Sequence, residues 1–116
     1  MRHIEENTQI ACVRWFDLQY PGLRLLLHHS PNGGYRNSRE AGRFKAMGTR
    51  AGFPDFALLV ARGGYHGLFI ELKSEKGRQT EHQKSYQKAL EQQGYKYAVC
   101  RNVEEFILCV NNYLKE

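Results

Sequence analysis

Gly52-Phe53-Pro54-Asp55-Phe56-Ala57-Leu58-Leu59-Val60-Ala61-Arg62-Gly63-Gly64-Tyr65-His66-Gly67-Leu68-Phe69-Ile70-Glu71-Leu72-Lys73 consists of two apolar runs joined by a turn-rich link. Pro54 can open a strand, because the first residue of a strand need not donate to the ladder, and residues 56–60 then form a short apolar strand. Residues 67–73 form the second. Arg62-Gly63-Gly64-Tyr65 supplies residues that tolerate positive φ, so an antiparallel return is the economical reading. Side chains alternate along a strand, which puts Phe69, Glu71 and Lys73 on one face and Leu68, Ile70 and Leu72 on the other. Pairing position 55 with 71 or with 73 gathers Asp55, Glu71 and Lys73 on the same face, whereas pairing it with 72 turns Asp55 away. The sequence leaves that register open.

Two carboxylates converging at a strand end, with a lysine two residues on, suit a hard divalent cation. Mg²⁺ prefers carboxylate oxygens, keeps several waters and polarises phosphoryl oxygens. Lys73 can then hold a nucleophilic water or stabilise developing negative charge. The competing reading makes Glu71 and Lys73 a solvated pair on an edge strand, where lysine guards against aggregation. Glu-x-Lys alone favours that reading; the preceding Pro-Asp and the intervening hairpin favour the site.

Upstream, residues 5–18 carry apolar residues at Ile10, Val13, Trp15, Phe16 and Leu18 without an internal Gly or Pro, which predicts a helix ended by Tyr20-Pro21-Gly22. Asn7 or Thr8 is an alternative cap. Residues 23–29 are Leu-rich and bounded by Pro-Gly and Ser-Pro, which predicts a buried strand, with a helix as the alternative. His28-His29 at its end either lines a site or meets solvent. After a loop over 30–35 come Arg36, Arg39, Arg43, Lys45 and Arg50, offset only by Glu40. A helix over 38–47 capped by Ser38 and stopped by Gly48 would turn Ala41, Phe44 and Met47 inward and spread the arginines outward.

Downstream, Thr80-Glu81-His82-Gln83 has capping-box spacing and opens a helix to Gln93, closed by Gly94, with Tyr86, Ala89 and Leu90 as its apolar stripe. Gln83 either faces the hairpin's acids or serves the cap. Residues 95–100 read as a strand and 103–114 as a closing helix.

A chain of 116 residues reads as a single domain spanning 1–116, long enough to bury a core without disulfides. Cys12, Cys100 and Cys109 are odd in number and set among apolar residues, so they read as core residues rather than a disulfide framework. The five histidines lack zinc spacing. No segment has the roughly 20 apolar residues a membrane helix needs, and the start lacks an apolar signal core, which predicts a cytoplasmic protein. The net charge of +5 favours a polyanionic partner.

Gly52-Phe53-Pro54-Asp55, Glu71-Leu72-Lys73 and Gln83 resemble the signature of the PD-(D/E)xK nuclease superfamily. Together with Glu5 and Gln9 on the first helix, Pro31-Asn32-Gly33-Gly34, Gly48-Thr49-Arg50-Ala51 and Tyr65-His66-Gly67, they resemble the virus-type replication-repair nuclease domain, VRR-NUC, over nearly the whole chain. The resemblance implies an α/β, restriction-endonuclease-like fold, a mixed central sheet flanked by helices. It also implies Mg²⁺- or Mn²⁺-dependent hydrolysis of phosphodiesters in DNA. Asp55 and Glu71 would bind metal with the backbone carbonyl of Leu72, Lys73 would be catalytic, and Glu5 and Gln83 would complete the site, with Glu6 adjacent to Glu5. Asn32, Arg36, Arg39, Arg43, Lys45 and Arg50 would meet DNA. Stand-alone members are similar to virus or phage enzymes, so a homodimer acting like a Holliday junction resolvase on branched DNA is the expectation. The alternative is a non-catalytic DNA-binding subunit that retains the fold.

Overall fold

A computed structural model describes residues 2–31 and 38–115, with side chains in the first helix from Glu6 onward. Asn32 and Arg36 therefore lie outside the described residues, as does the side chain of Glu5. The first helix, α1 (Arg2–Gln19), begins before either Asn7 or Thr8, so neither caps it. Cys12 and Phe16, one turn apart, are fully buried, and the helix closes with the Tyr20 N–H donating to the Phe16 carbonyl ahead of Pro21.

The expected strand over 23–29 is mostly a 3₁₀ helix (Pro21–Leu26), and only β1 (Leu27–His29) is extended. Pro21 presets the helical φ at the first position, and leucine has little β preference to oppose it. Pairing starts only at Leu27, opposite Leu58, because β2 (Phe56–Leu58) is itself three residues long.

The hairpin forms as the alternation requires. Gly63 and Gly64 take φ of 57° and 88°, and Arg62 and Tyr65 exchange both backbone hydrogen bonds across them. β2 pairs antiparallel with β3 (Leu68–Leu72), Phe56 opposite Ile70, so Asp55 stands one step on, opposite Glu71. That resolves the register in favour of 55 with 71.

β4 (Lys96–Cys100) lies parallel to β3, and the crossover between them is α3 (Glu81–Gln92), giving a mixed sheet of order β1-β2-β3-β4. One sheet face, with Phe56, Leu58, Leu68, Ile70 and Cys100, packs on α1 and on α4 (Val103–Lys115), whose Phe106, Val110 and Tyr113 are buried. Ala57, Phe69 and Tyr97 form the second core, with Phe53, Leu90, Tyr95 and Val99 packed on it. β3 is thus buried on both faces. Each fully buried Phe, Leu or Ile in these layers contributes about 1.5–3 kcal/mol.

The segment α2 (Ser38–Ala46) ends one residue before the expected Met47, and Gly48 follows at a φ of 112°. Its inward stripe is not realised: Met47 is 74% exposed, Ala41 is exposed and only Phe44 is half-buried. The helix stands over a groove instead of on the core. Cys12 and Cys100 are buried free thiols and Cys109 a half-buried one; burial pushes Cys12 up to about 12, so it stays a neutral core residue.

Candidate active site

Pro54, buried at the mouth of the hairpin, delivers Asp55 to the end of β2. The Asp55 backbone carbonyl accepts from the Ser30 N–H at 2.9 Å and lies 3.0 Å from Nδ1 of His29. Its carboxylate Oδ2 accepts the Leu72 N–H at 2.6 Å. Both ends of the residue are therefore held, and Oδ1 carries no hydrogen bond among the described residues. Burial keeps the Asp55 carboxyl above the ordinary carboxylate range; the Leu72 N–H and the nearby His29 oppose this, Glu71 adds to it and Lys73 opposes it.

Glu71 is fully buried on the same face. The Tyr97 hydroxyl donates to its Oε1 at 2.5 Å and Nε2 of Gln79 donates to that oxygen at 3.1 Å. Among the described residues Oε2 has no hydrogen-bond partner. Nζ of Lys73 is 3.6 Å from Oε2, within ion-pair range and too far for a hydrogen bond. An orphaned oxygen on a buried charge is costly unless something pairs with it.

The loop after β3 is clamped from β4's end, where Nη1 of Arg101 donates to the carbonyls of Ser74 at 2.8 Å and Gly77 at 2.6 Å. Gln79, next along, donates also to Oε1 of Gln87 at 2.9 Å, which ties the Glu71 cluster to α3.

Gln83 is used by the cap. Its Oε1 accepts the Thr80 N–H at 2.8 Å and its own N–H donates to Oγ1 of Thr80 at 3.1 Å, with no hydrogen bond to Asp55 or Glu71. It nevertheless abuts the acidic loop: a Cβ on Gly52, whose φ is 86°, would lie 2.8 Å from the Gln83 nitrogen. Arg39, Arg43, Lys45 and Arg50 are all exposed. His28 is exposed, whereas His29 touches the site through Asp55.

Sequence reading missed Gln79 and Tyr97 as partners of Glu71. A tyrosine in the middle of a buried strand, whose hydroxyl needs a partner, was the available signal for Tyr97. Gln79 carries no comparable signal.

Among the described residues no group of three or more His, Cys, Asp or Glu side chains gathers as a metal cluster. The donors at the hairpin end are two carboxylates, Asp55 and Glu71, each with an oxygen lacking a hydrogen bond. That set fits Mg²⁺, which takes one or two carboxylates and retains waters, and the buried Oε2 of Glu71 is the atom a cation would satisfy.

A mixed sheet flanked by helices, with an acid on each arm of a hairpin and a lysine two residues beyond, defines a nuclease-type fold. The VRR-NUC domain matches residues 4–104, and the chain belongs to that family. A solved structure described as a VRR_NUC domain protein is 34% identical and superposes with a TM-score of 0.84, covering 96% of this chain and 88% of that one. No curated protein matches the chain. Among the described residues no helix is long and apolar enough to cross a membrane.

Proposed function

We propose that this protein is a divalent-metal-dependent DNA endonuclease, acting on branched or otherwise structured DNA as a homodimer. The observation that carries the reading is Oε2 of Glu71, fully buried, without a hydrogen bond among the described residues and 3.6 Å from Lys73.

In this reading Asp55, Glu71 and the Leu72 carbonyl hold Mg²⁺ or Mn²⁺. When bound, the metal supplies Lewis-acid polarisation of the scissile phosphate. Tyr97 and Gln79 fix Oε1 of Glu71 and so leave Oε2 for the cation; the Leu72 N–H fixes Oδ2 of Asp55 in the same way. Lys73, with only 16% of its side chain exposed, brings a positive charge to the place where negative charge develops. Glu5 is the additional first-helix acid, and Gln83 holds the start of α3 against the acidic loop. The exposed Arg39, Arg43, Lys45 and Arg50, with Arg36 and Asn32 beside them in sequence, supply the charge that draws in a polyanion.

The test is purified protein incubated with plasmid, flap, splayed and four-way DNA in Mg²⁺, Mn²⁺ or EDTA. Metal-dependent cutting that favours the branched substrates supports the reading. Tight DNA binding without cutting under any metal would identify a non-catalytic DNA-binding subunit instead.

A further inference from the structure

β3 and β4 run parallel with Leu72 opposite Cys100, so the next residues along, Lys73 and Arg101, leave the sheet side by side at its carboxyl end. The Lys73 N–H still donates to the Cys100 carbonyl at 3.0 Å, and the chain then turns, the Gly77 N–H donating to the Ser74 carbonyl at 3.1 Å. This turn leaves from and returns to one carboxylate. Before it, Nζ of Lys73 lies 3.6 Å from Oε2 of Glu71; after it, Nε2 of Gln79 donates to Oε1 of Glu71 at 3.1 Å. The turn also walls the lysine stem, since a Cβ on Gly77 would lie 3.4 Å from Cδ of Lys73.

Ser74, Glu75 and Lys76 are exposed, so packing does not hold the turn closed. Arg101 does. Its Nη1 donates to the carbonyls of Ser74 at 2.8 Å, Gly77 at 2.6 Å and, most weakly, Glu75 at 3.4 Å. Three carbonyl dipoles aimed at one place repel one another unless a cation sits between them, and a guanidinium is always charged. Among the described residues no carboxylate forms an ion pair with Arg101, so these carbonyls are what its charge meets. The clamp is itself anchored, because the Arg101 N–H donates to Oε1 of Glu105 at 2.7 Å in the first turn of α4.

We infer that Arg101 is a positioning residue for the candidate active site: by holding the 74–77 turn closed it fixes Lys73 and Gln79 on Glu71. The inference rests on the nuclease reading for what this positioning serves. Lysine is a point charge on a flexible four-carbon stem, so its place beside a carboxylate depends on what walls the stem. Here the wall is a turn that one side chain from the neighbouring strand's end keeps in shape.

The experiment compares the full chain with its Arg101→Gln and Arg101→Lys variants, first without metal or DNA. Backbone order parameters from ¹⁵N relaxation at residues 75–77 are expected to fall from about 0.85 to below about 0.6 in Arg101→Gln, while β3 and α4 stay rigid. Single-turnover cleavage in saturating Mg²⁺ should drop roughly tenfold, the scale of one lost charge-assisted hydrogen bond. DNA affinity in EDTA should stay within about twofold, because the loss falls on turnover and not on binding. Arg101→Lys, whose ammonium sits one bond short of Nη1, should give intermediate values of both; where Arg101→Gln does not fold, wild-type values in Arg101→Lys overturn the inference. A turn still ordered in Arg101→Gln overturns it, and so does a lower melting temperature with order parameters and turnover unchanged below the melt. Unchanged turnover with weaker binding and a salt slope flattened by about 0.9 makes Arg101 a phosphate contact and overturns it too. If the turn loosens but neither protein cuts DNA in Mg²⁺ or Mn²⁺, the clamp on Lys73 stands and the nuclease reading fails. If both cut DNA equally well, the nuclease reading stands and this inference fails.

Discussion

The Tyr97 hydroxyl donates to Oε1 of Glu71 across 2.5 Å, inside the core and 26 residues away in sequence. Burial, reinforced by that carboxylate, holds the Tyr97 hydroxyl far above its ordinary value, so it stays a donor throughout the working pH range. With Gln79 on the same oxygen, the carboxylate has one face committed and one unmet.

Tyr97→Phe tests that division. It removes a hydrogen bond to a charged group, worth about 1.5–3 kcal/mol, while keeping the ring in its layer. Supporting contacts of this kind typically tune metal affinity by about 10–100-fold. We expect half-maximal cleavage to need correspondingly more Mg²⁺, with saturated turnover less affected. A titration superimposable on the wild type would show that Tyr97 only packs.

Asp55→Asn and Glu71→Gln each remove an anionic donor at nearly constant shape, so metal-dependent cleavage should disappear in both. Asp55 gives a second readout. Its raised carboxyl value means that the folded state binds the proton more tightly than the unfolded chain, so ionisation at neutral pH costs stability when no metal is present. Metal-free Asp55→Asn should therefore melt above the metal-free wild type at neutral pH, and Mg²⁺ should raise the melting temperature of the wild type alone. A lower melting temperature for the variant, or wild-type cleavage by it, contradicts the assignment.

Lys73→Ala should reduce turnover more than it weakens DNA binding if the proposed function holds, because its ammonium lies 3.6 Å from Oε2 of Glu71, where the metal and the reacting phosphate would meet. Loss of one such electrostatic contact typically costs about 10²–10³ in rate. Single-turnover cleavage compared with binding in EDTA separates the two effects. Unchanged rate with weaker binding would make Lys73 a phosphate contact.

Gly52→Ala combines a strained φ of 86° with a Cβ 2.6 Å from the backbone carbon of His82. The new methyl must push the acidic loop off the start of α3. We expect a loss of roughly 1–3 kcal/mol in stability and a fall in cleavage larger than stability explains, since Asp55 rides on that loop. Thermal melting and cleavage below the melting range check both; a neutral variant would mean that the contact is not maintained in solution.

The hairpin was legible because alternation and Gly63-Gly64 both point to it. Its register was not, since pairing with 71 or with 73 keeps the acids on one face; the choice shows in the Phe56–Ile70 pairing and the Leu72 N–H on Asp55. The segment after Pro21 reads as a strand with a helix as the alternative because a Leu-rich run fits several backbones, and only its partner's length decides between the 3₁₀ helix and the strand at Leu27. Tyr97 reaches Glu71 through the parallel register that sets Phe69 opposite Tyr97 and Glu71 opposite Val99, which a crossover through α3 creates and no local pattern announces. For Gln83, spacing correctly indicated the capping box, while its place against Gly52 depends on tertiary contact.

The last prediction concerns Arg39 and Arg43, exposed on α2 four residues apart and so on one face of the helix. Under the proposed function the acids at the hairpin end would repel a phosphodiester, so affinity would have to come from nearby cations and from a bound metal. Each phosphate a cation neutralises releases counterions, which makes log affinity fall with log salt by about 0.9 per contact on duplex DNA. Replacing Arg39 and Arg43 together by Ala should weaken binding to all duplex sequences alike and flatten the slope by up to about 1.8. Adding Arg36→Ala extends the expected flattening to about three contacts. The helix lacks buried residues, so the replacements should leave the melting temperature nearly unchanged, and the effect can be read as a loss of charge rather than of fold. An unaltered slope would make α2 a solvated face and move the DNA path to the cations beyond the hairpin, Lys76, Arg78 and Lys84, all of which are exposed.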